Sequence, residues 1–262
     1  MVVLAPGTIL QHLYFAERLK SMAPGRFLEV GPGRGDLTQF LLRRGWQGTV
    51  VERNTETAGD LRVALESHVR SGRLEVLDGD FLALSLPPAA ADMVVSCMVL
   101  EHLDETLERS FMRNALRCVA ANGLMAGFVP GSPRHWGVED VIAGHCRRYT
   151  RDSLRRSLQD SGWRVTHLAG LTYPLSNALL PLSNRLVGRA EAAHAGLSMT
   201  ERTLLSGRRR VSFKTRFPSW VGMAVNAWTL RPLHWLQKQC SDAEDALVLY
   251  FEAVPQDAAR GP

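Results

Sequence analysis

A carboxylate followed by three closely spaced glycines is the first chemical signal in the chain: Phe27-Leu28-Glu29-Val30-Gly31-Pro32-Gly33-Arg34-Gly35-Asp36. Gly31, Gly33 and Gly35 allow a sharp turn and let a ligand reach main-chain amides with no Cβ in the way. The spacing is G-x-G-x-G, whereas a pyrophosphate-binding dinucleotide loop reads G-x-G-x-x-G. Glu29 beside the loop disfavours a pyrophosphate and suits a ligand that carries an ammonium group. Val50-Val51-Glu52 ends a second apolar run, where a carboxylate can accept both hydroxyls of a ribose; Arg53 follows it. Leu77-Asp78-Gly79-Asp80-Phe81 offers Asp80 to an adenine amine and Phe81 to its ring. An Asp at such a position equally well caps a turn.

Two further stretches carry groups suited to moving protons or gripping anions. The first is Ser96-Cys97-Met98-Val99-Leu100-Glu101-His102-Leu103. His102 is the leading candidate base, because an imidazole titrates near neutral pH. Glu101 can orient it, bind substrate or pair with it at a divalent metal, and the pair can instead form a structural hydrogen bond. The second stretch is Gly144-His145-Cys146-Arg147-Arg148-Tyr149-Thr150. It sets an imidazole, two guanidiniums and a phenol just before a helix start, an arrangement suited to a carboxylate or phosphate. His145 is the second candidate base, and Arg147, Arg148 and Tyr149 are candidate substrate contacts. The competing reading has the arginines bridging to acidic residues and Tyr149 packing beside the helix. Tyr14, in an apolar N-terminal stretch, is a further substrate candidate. The four cysteines form no C-x-x-C pair, so neither a zinc cluster nor a disulfide framework is expected, and no metal is assigned.

These residues need a scaffold that brings them to one edge. Short β-branched runs at 26–30, 48–52, 73–77, 92–96, 124–129 and 164–168 alternate with helical patterns at 36–44, 55–70, 105–120 and 151–161. Such alternation predicts a parallel α/β sheet, with ligands at the carboxyl ends of its strands. Residues 169–245 break the pattern with Leu/Ala/Trp-rich helical stretches at 175–187 and 220–237, and a last strand is expected at 246–254. So long an interval is read as a helical cap rather than a loop. Residues 9–19 read as a lid helix or as a helix packed on the core. Within the cap, Trp220, Trp228 and Trp235 recur at helical spacing, which suits a core, a homodimer interface, a lipophilic pocket or a membrane surface; Pro232 argues for a kink.

With 262 residues, 45% of them hydrophobic and 22% charged, the composition is that of a folded globular chain. No window supplies the ~20 apolar residues of a membrane span, and no secretory leader is evident, so a cytoplasmic location is expected. Net charge is +5, concentrated in part at Arg208–Arg209–Arg210, Lys214 and Arg216. No nucleic-acid-binding signature accompanies that run, and no nucleic-acid partner is expected.

The ordered motifs resemble those of the class I S-adenosylmethionine-dependent methyltransferases. The resemblance implies a Rossmann-like seven-stranded sheet in the order 3-2-1-4-5-7-6 with strand 7 antiparallel, here with a helical cap inserted before the last strand. It divides the chain into an N-terminal lid helix at 1–25, a cofactor-binding domain at 26–168 plus 246–262, and a cap at 169–245. It implies S-adenosylmethionine as cofactor, S-adenosylhomocysteine as product, and Glu29, Gly31, Gly33, Gly35, Glu52, Arg53, Asp80, Phe81 and Ser96 as its contacts. The segment from Gly144 to Thr150 resembles a G-H-x-R-R-Y-T stretch of a bacterial subset. The expected activity is methyl transfer to a small molecule, anionic or lipophilic, with oxygen the favoured acceptor. Carbon or nitrogen methylation, a lipid- or sugar-linked acceptor at a membrane surface, and cofactor binding without methyl transfer are the alternatives.

Overall fold

The computed structural model describes residues 4–191 and 221–256. The basic run at 208–216 and Trp220 lie outside the described residues. The chain divides into two compact units: one comprises 24–129, 149–168 and 250–262, the other 1–23, 130–148 and 169–249.

The strands are β1 (Arg26–Val30), β2 (Gln47–Glu52), β3 (Leu74–Asp78), β4 (Ala91–Cys97), β5 (Val119–Pro130), β6 (Trp163–Leu171) and β7 (Val248–Pro255). They form one seven-stranded sheet in the order β3-β2-β1-β4-β5-β7-β6. The pairs β1–β2, β1–β4, β2–β3 and β4–β5 are parallel, and β7 runs antiparallel. Parallel strands covered on both faces are apolar nearly throughout, and β1 and β4 show it: Phe27, Leu28, Val30, Met93, Val94 and Val95 are all buried. Because β1 sits between β2 and β4, the loop leaving β1 faces the ends of both neighbours. That neighbourhood follows from strand order and positions the site.

Helices α2 (Asp36–Leu42), α3 (Thr55–Ala64), α4 (Glu66–Arg70), α5 (Glu105–Cys118) and α7 (Arg151–Asp160) complete the sheet-bearing unit. Asn54 caps α3 by accepting from the Thr57 amide at 2.9 Å, and Thr150 caps α7 through the Ser153 amide at 3.0 Å. The predicted helix over 55–70 is divided at Leu65, whose φ of −115° leaves the helical region while its side chain stays buried. The predicted helix over 105–120 stops at Cys118, because Val119 pairs with Ala91 and joins β5. Residues 119–123, expected to lie outside the strand, are therefore part of it.

The second unit contains α1 (Pro6–Arg18), α6 (Val138–Ala143), α8 (Leu175–Glu191), α9 (Val221–Ala224) and α10 (Arg231–Gln239). Pro6 opens α1 at the position where a missing N–H costs nothing. The stretch predicted as one helix over 220–237 is two, parted by a turn in which the Asn226 carboxamide oxygen accepts from the amides of Trp228 and Thr229. Pro232 accordingly lies in the first turn of α10 and produces no kink. A small core of Ile9, Leu10 and Leu230, flanked by Leu13, Leu175 and Leu233, joins α1 to α8 and α10. Gln237 fastens the same elements with polar bonds: its Oε1 accepts the Thr172 amide at 2.9 Å, and its Nε2 donates to the Leu10 carbonyl at 3.0 Å. Beside it, Lys238 Nζ lies 2.9 Å from the Glu17 carboxylate, and His234 Nε2 lies 3.1 Å from it. Among the described residues no helix is long and apolar enough to cross a membrane.

Candidate active site

The glycine loop leaves β1 and is tied to β2 at once, the Gly31 amide donating to the Val51 carbonyl at 2.9 Å. Gly31 has φ +69°, and a Cβ built there would stand 2.7 Å from Val99 Cγ2. Gly35, at φ +75°, begins α2, and its Cβ would stand 2.6 Å from Leu61 Cδ2 on α3. The left-handed backbone at both positions favours glycine and makes the sharp turn that the sequence expects there. Gly31→Ala should lower stability by about 1–2 kcal/mol through the left-handed conformation, with the Val99 contact adding to it. A urea denaturation series checks this, and an unchanged midpoint would show that the loop relaxes freely.

Glu52 closes β2 and holds two loop amides: Oε2 accepts from Gly33 at 3.1 Å and Oε1 from Asn54 at 2.9 Å. Burial raises its carboxyl above the usual range, and those amides oppose the rise. Glu29, in the middle of the sheet, is fully buried and accepts from Thr38 Oγ1 at 2.6 Å. Burial pushes Glu29 up to about 7; Thr38 counteracts it, while the negative charges of Asp36 and Glu52 add to it. Asp36 is raised by burial as well, against the pull of Arg34. Three carboxyls that raise proton affinity around one glycine loop create a place where a cation is welcome. The loop's amides and the remaining lone pairs of Glu52 supply donors and acceptors for a sugar. This donor set fits a nucleoside that bears a positive charge.

At the tip of β3, Asp80 turns the chain by accepting from the Leu82 amide at 2.9 Å, and its other oxygen lies 3.6 Å from Arg53 Nε. Phe81 is a core residue whose ring packs on Phe111 at 5.0 Å between centroids. At the end of β4, Ser96 is buried, with Oγ bonded to none of the described residues. The Cys97 thiol is pushed far above its ordinary range by burial and then by the charges of Glu29, Glu101 and Asp36. Glu101 is buried in the short helical turn Leu100–His102, and His102 is half-buried at the end of that turn.

The second unit holds a polar cluster whose centre the sequence reading missed. Asp140 lies wholly buried in α6, and its Oδ1 meets His145 Nδ1 at 2.8 Å and Arg148 Nε at 2.8 Å. Its Oδ2 accepts from the Gly137 amide at 2.8 Å. Burial alone would raise this carboxyl, but the His145, Arg148 and Gly137 bonds prevail and hold it down at about 2. Arg148 also donates to the Gly131 carbonyl at 3.1 Å. Its guanidinium therefore has internal partners where a substrate contact was expected. The same holds for Tyr149, a core residue of the sheet-bearing unit whose hydroxyl donates to Glu108 at 3.0 Å; Ser157 donates to the same oxygen at 2.7 Å. Tyr149→Phe should cost about 1 kcal/mol of stability, the worth of one buried hydrogen bond, and leave the acceptor's KM unchanged. A raised KM at unchanged stability would return Tyr149 to the substrate. Tyr14 is buried in the second unit with its ring edge-on to His234 at 6.3 Å, and Arg147 is half-buried. Of the two candidate bases, His102 belongs to the sheet-bearing unit and His145 to the other.

The sequence matches the family described as "Methyltransferase domain" over residues 9–168. The chain belongs to the methyltransferase-domain family. Among its relatives, the probable S-adenosylmethionine-dependent methyltransferase Rv3030 of Mycobacterium tuberculosis strain H37Rv is 31% identical over 166 residues, 62% of this chain and 57% of that protein. The uncharacterised methyltransferase YrrT of Bacillus subtilis strain 168 is 41% identical over 86 residues, 33% of this chain and 38% of that protein. The chain therefore spans less than two thirds of the length of these relatives. Among solved structures, the glycopeptide N-methyltransferase MtfA in complex with S-adenosylmethionine shares the fold with a TM-score of 0.53 at 21% identity, covering 64% of this chain and 88% of that one. The strand order is the one the resemblance implies, and S-adenosylmethionine is named for Rv3030 and for the MtfA complex.

Proposed function

We propose that this methyltransferase moves a methyl group from S-adenosylmethionine to a hydroxyl or carboxyl of a small-molecule acceptor. The observation that carries the reading is Glu52, a carboxylate that accepts from the Gly33 amide of the glycine loop and from the Asn54 amide after β2, beside the buried Glu29. Bound S-adenosylmethionine supplies an electrophilic methyl carbon on a sulfonium. Glu29 and Asp36 attract the cationic amino-acid end of that cofactor, the loop from Gly31 to Gly35 brings backbone amides to it, and Glu52 accepts from the ribose. Asp80, Arg53 and Ser96 complete the adenosine side; Phe81 supports it from the core. Rate enhancement comes chiefly from holding the acceptor atom about 3 Å from the methyl carbon with water excluded.

An oxygen acceptor is favoured because His102 and His145 each offer an imidazole to take its proton. Asp140 suits His145 to that task by keeping its Nδ1 engaged. Arg147 selects an acidic acceptor, and Tyr14 and Glu101 shape its place. The segment from Gly144 to Thr150 aligns the chain with the bacterial subset whose motif it resembles. Transfer of a labelled methyl group to a panel of small hydroxy and carboxylic acids tests the reading. His102→Ala or His145→Ala should lower kcat with little change in cofactor affinity if that residue is the base. Binding of S-adenosylhomocysteine with no transfer to any acceptor would sink the enzymatic part and leave a cofactor-binding protein.

Cofactor binding should also release a proton. With its carboxyl pushed up to about 7, Glu29 is partly protonated in the ligand-free protein at neutral pH. A neighbouring cation favours the carboxylate, so affinity for S-adenosylmethionine should climb as pH rises through 7. Calorimetry in buffers of differing ionisation heat should detect the released proton, and Glu29→Gln should abolish it. Equal release from the Gln variant would assign the proton to another group.

A further inference from the structure

Glu29 is flanked in the sheet by side chains with nothing to donate. On β1 it stands opposite Val50 of β2 and Val95 of β4, both fully buried. The charges that act on it, Asp36 at the start of α2 and Glu52 at the end of β2, are both negative, and Arg34 of the loop acts on Asp36. The Cys97 thiol at the end of β4 is held neutral by burial and by Glu29, Glu101 and Asp36 together. Against these stands the hydroxyl of Thr38, wholly buried in the first turn of α2. Its Oγ1 lies 2.6 Å from Glu29 Oε2, within the range of a hydroxyl donating to an ionised oxygen. A hydroxyl has one proton to give, and this one is directed across from the helix to the strand. The same oxygen borders the glycine loop, since a Cβ at Gly35 would stand 3.8 Å from it.

We propose that Thr38 is a positioning residue for cofactor capture, its hydroxyl presenting Glu29 as an aimed carboxylate to the ammonium end of S-adenosylmethionine. The proposal rests on the methyl-transfer reading, which sets Glu29 at that end of the cofactor, and adds the group that prepares it. A buried carboxylate with acids for neighbours takes up a proton readily, and a neutral acid gives an ammonium little to pair with. A donor fixed on the ionised form opposes that uptake. It also selects one direction for the side chain before the ligand arrives. Thr38 thus acts through Glu29 and not on the ligand, so its removal should register in the pH dependence of binding. The sign is definite. Without the donor, Glu29 gives up its proton at a higher pH, and the climb of affinity with pH moves upward.

Titration calorimetry of the full chain with S-adenosylhomocysteine, from about pH 6 to about pH 8.5, tests it. Each variant is compared with wild type at the same pH, so that the ligand's own amine cancels. Thr38→Val keeps the outline of the side chain and removes the donor. Its affinity should be about fivefold lower at pH 7, as the ionised fraction of Glu29 falls from about one half to about one tenth, and the rising limb should move upward by about one pH unit. Proton release on binding at pH 7 should grow in this variant, because more of its Glu29 starts protonated. Thr38→Ser keeps the donor and should return the wild-type profile. If Thr38→Val shows no cooperative urea transition, Thr38→Ala removes the donor without setting a methyl against the carboxylate and carries the same expectations. In a Glu29→Gln background, Thr38→Val should leave the pH profile where it is. Weakening by the same factor at every pH would overturn the proposal and leave Thr38 a packing residue, as would an unchanged affinity and profile. Wild type that binds no S-adenosylhomocysteine at any pH would sink the cofactor reading and this proposal with it. Wild-type binding with a profile that ignores Thr38 would sink this proposal alone.

Discussion

Replacing Glu52 with alanine should weaken binding of S-adenosylhomocysteine about 10- to 100-fold, the range for losing hydrogen bonds to a charged acceptor. Two effects add. The carboxylate is the assigned acceptor for the ribose, and it fastens the Gly33 and Asn54 amides from either side. Without it the glycine loop loses its tie to the end of β2 beyond the single Gly31–Val51 bond. Glu52→Gln keeps one carbonyl oxygen but substitutes a donor for the other, so it should fall between wild type and alanine. Titration calorimetry of all three proteins decides the matter. Identical affinities would remove Glu52 from the cofactor site and with it the carrying observation of the proposed function.

The second large effect concerns folding. Asp140→Ala should destabilise the protein by about 3–5 kcal/mol, because it leaves Arg148 buried without its carboxylate. Asp140→Asn should cost less, since an amide oxygen can still accept from Gly137. The pH dependence has a definite sign. The native carboxyl is held down at about 2, below its unfolded value near 3.9. Its contribution is therefore complete above about pH 4 and disappears as the pH falls toward 2. Urea midpoints measured between pH 6 and 2.5 should draw closer together for wild type and Asp140→Ala toward the acid end, by up to about 2 kcal/mol of the difference. Parallel curves would place the stabilisation elsewhere.

The sheet was legible because its strands are long enough, apolar enough and separated by helices of ordinary period. Where the reading slipped, a neighbour in space overruled a local signal. Val119 reads as the last turn of a helix, yet pairing with Ala91 takes it into β5. Pro232 reads as a kink, yet the Asn226 turn starts a new helix just before it. The acids and glycines at the strand tips announced themselves by type and spacing, but not the reason for each. Nothing in the chain order says that Gly35 must clear Leu61, or that Phe81 will turn toward Phe111. Asp140 was missed because α6 is only six residues long, too short to show a period. Its partners follow five and eight residues later, at His145 and Arg148. An acid ahead of the G-H-x-R-R segment was the available clue.

Gln237 gives the first helix a significance beyond that of a lid. Its amide spans Leu10 and Thr172, while the apolar residues of α1 fill the space beside Leu230. Trimming the chain back to the start of the sheet would remove one end of that span and bare a greasy seam. The family match itself begins at residue 9, inside α1. An N-terminally shortened protein would thus forfeit part of the wall that this helix and Gln237 build together, and soluble expression of the remainder should suffer accordingly.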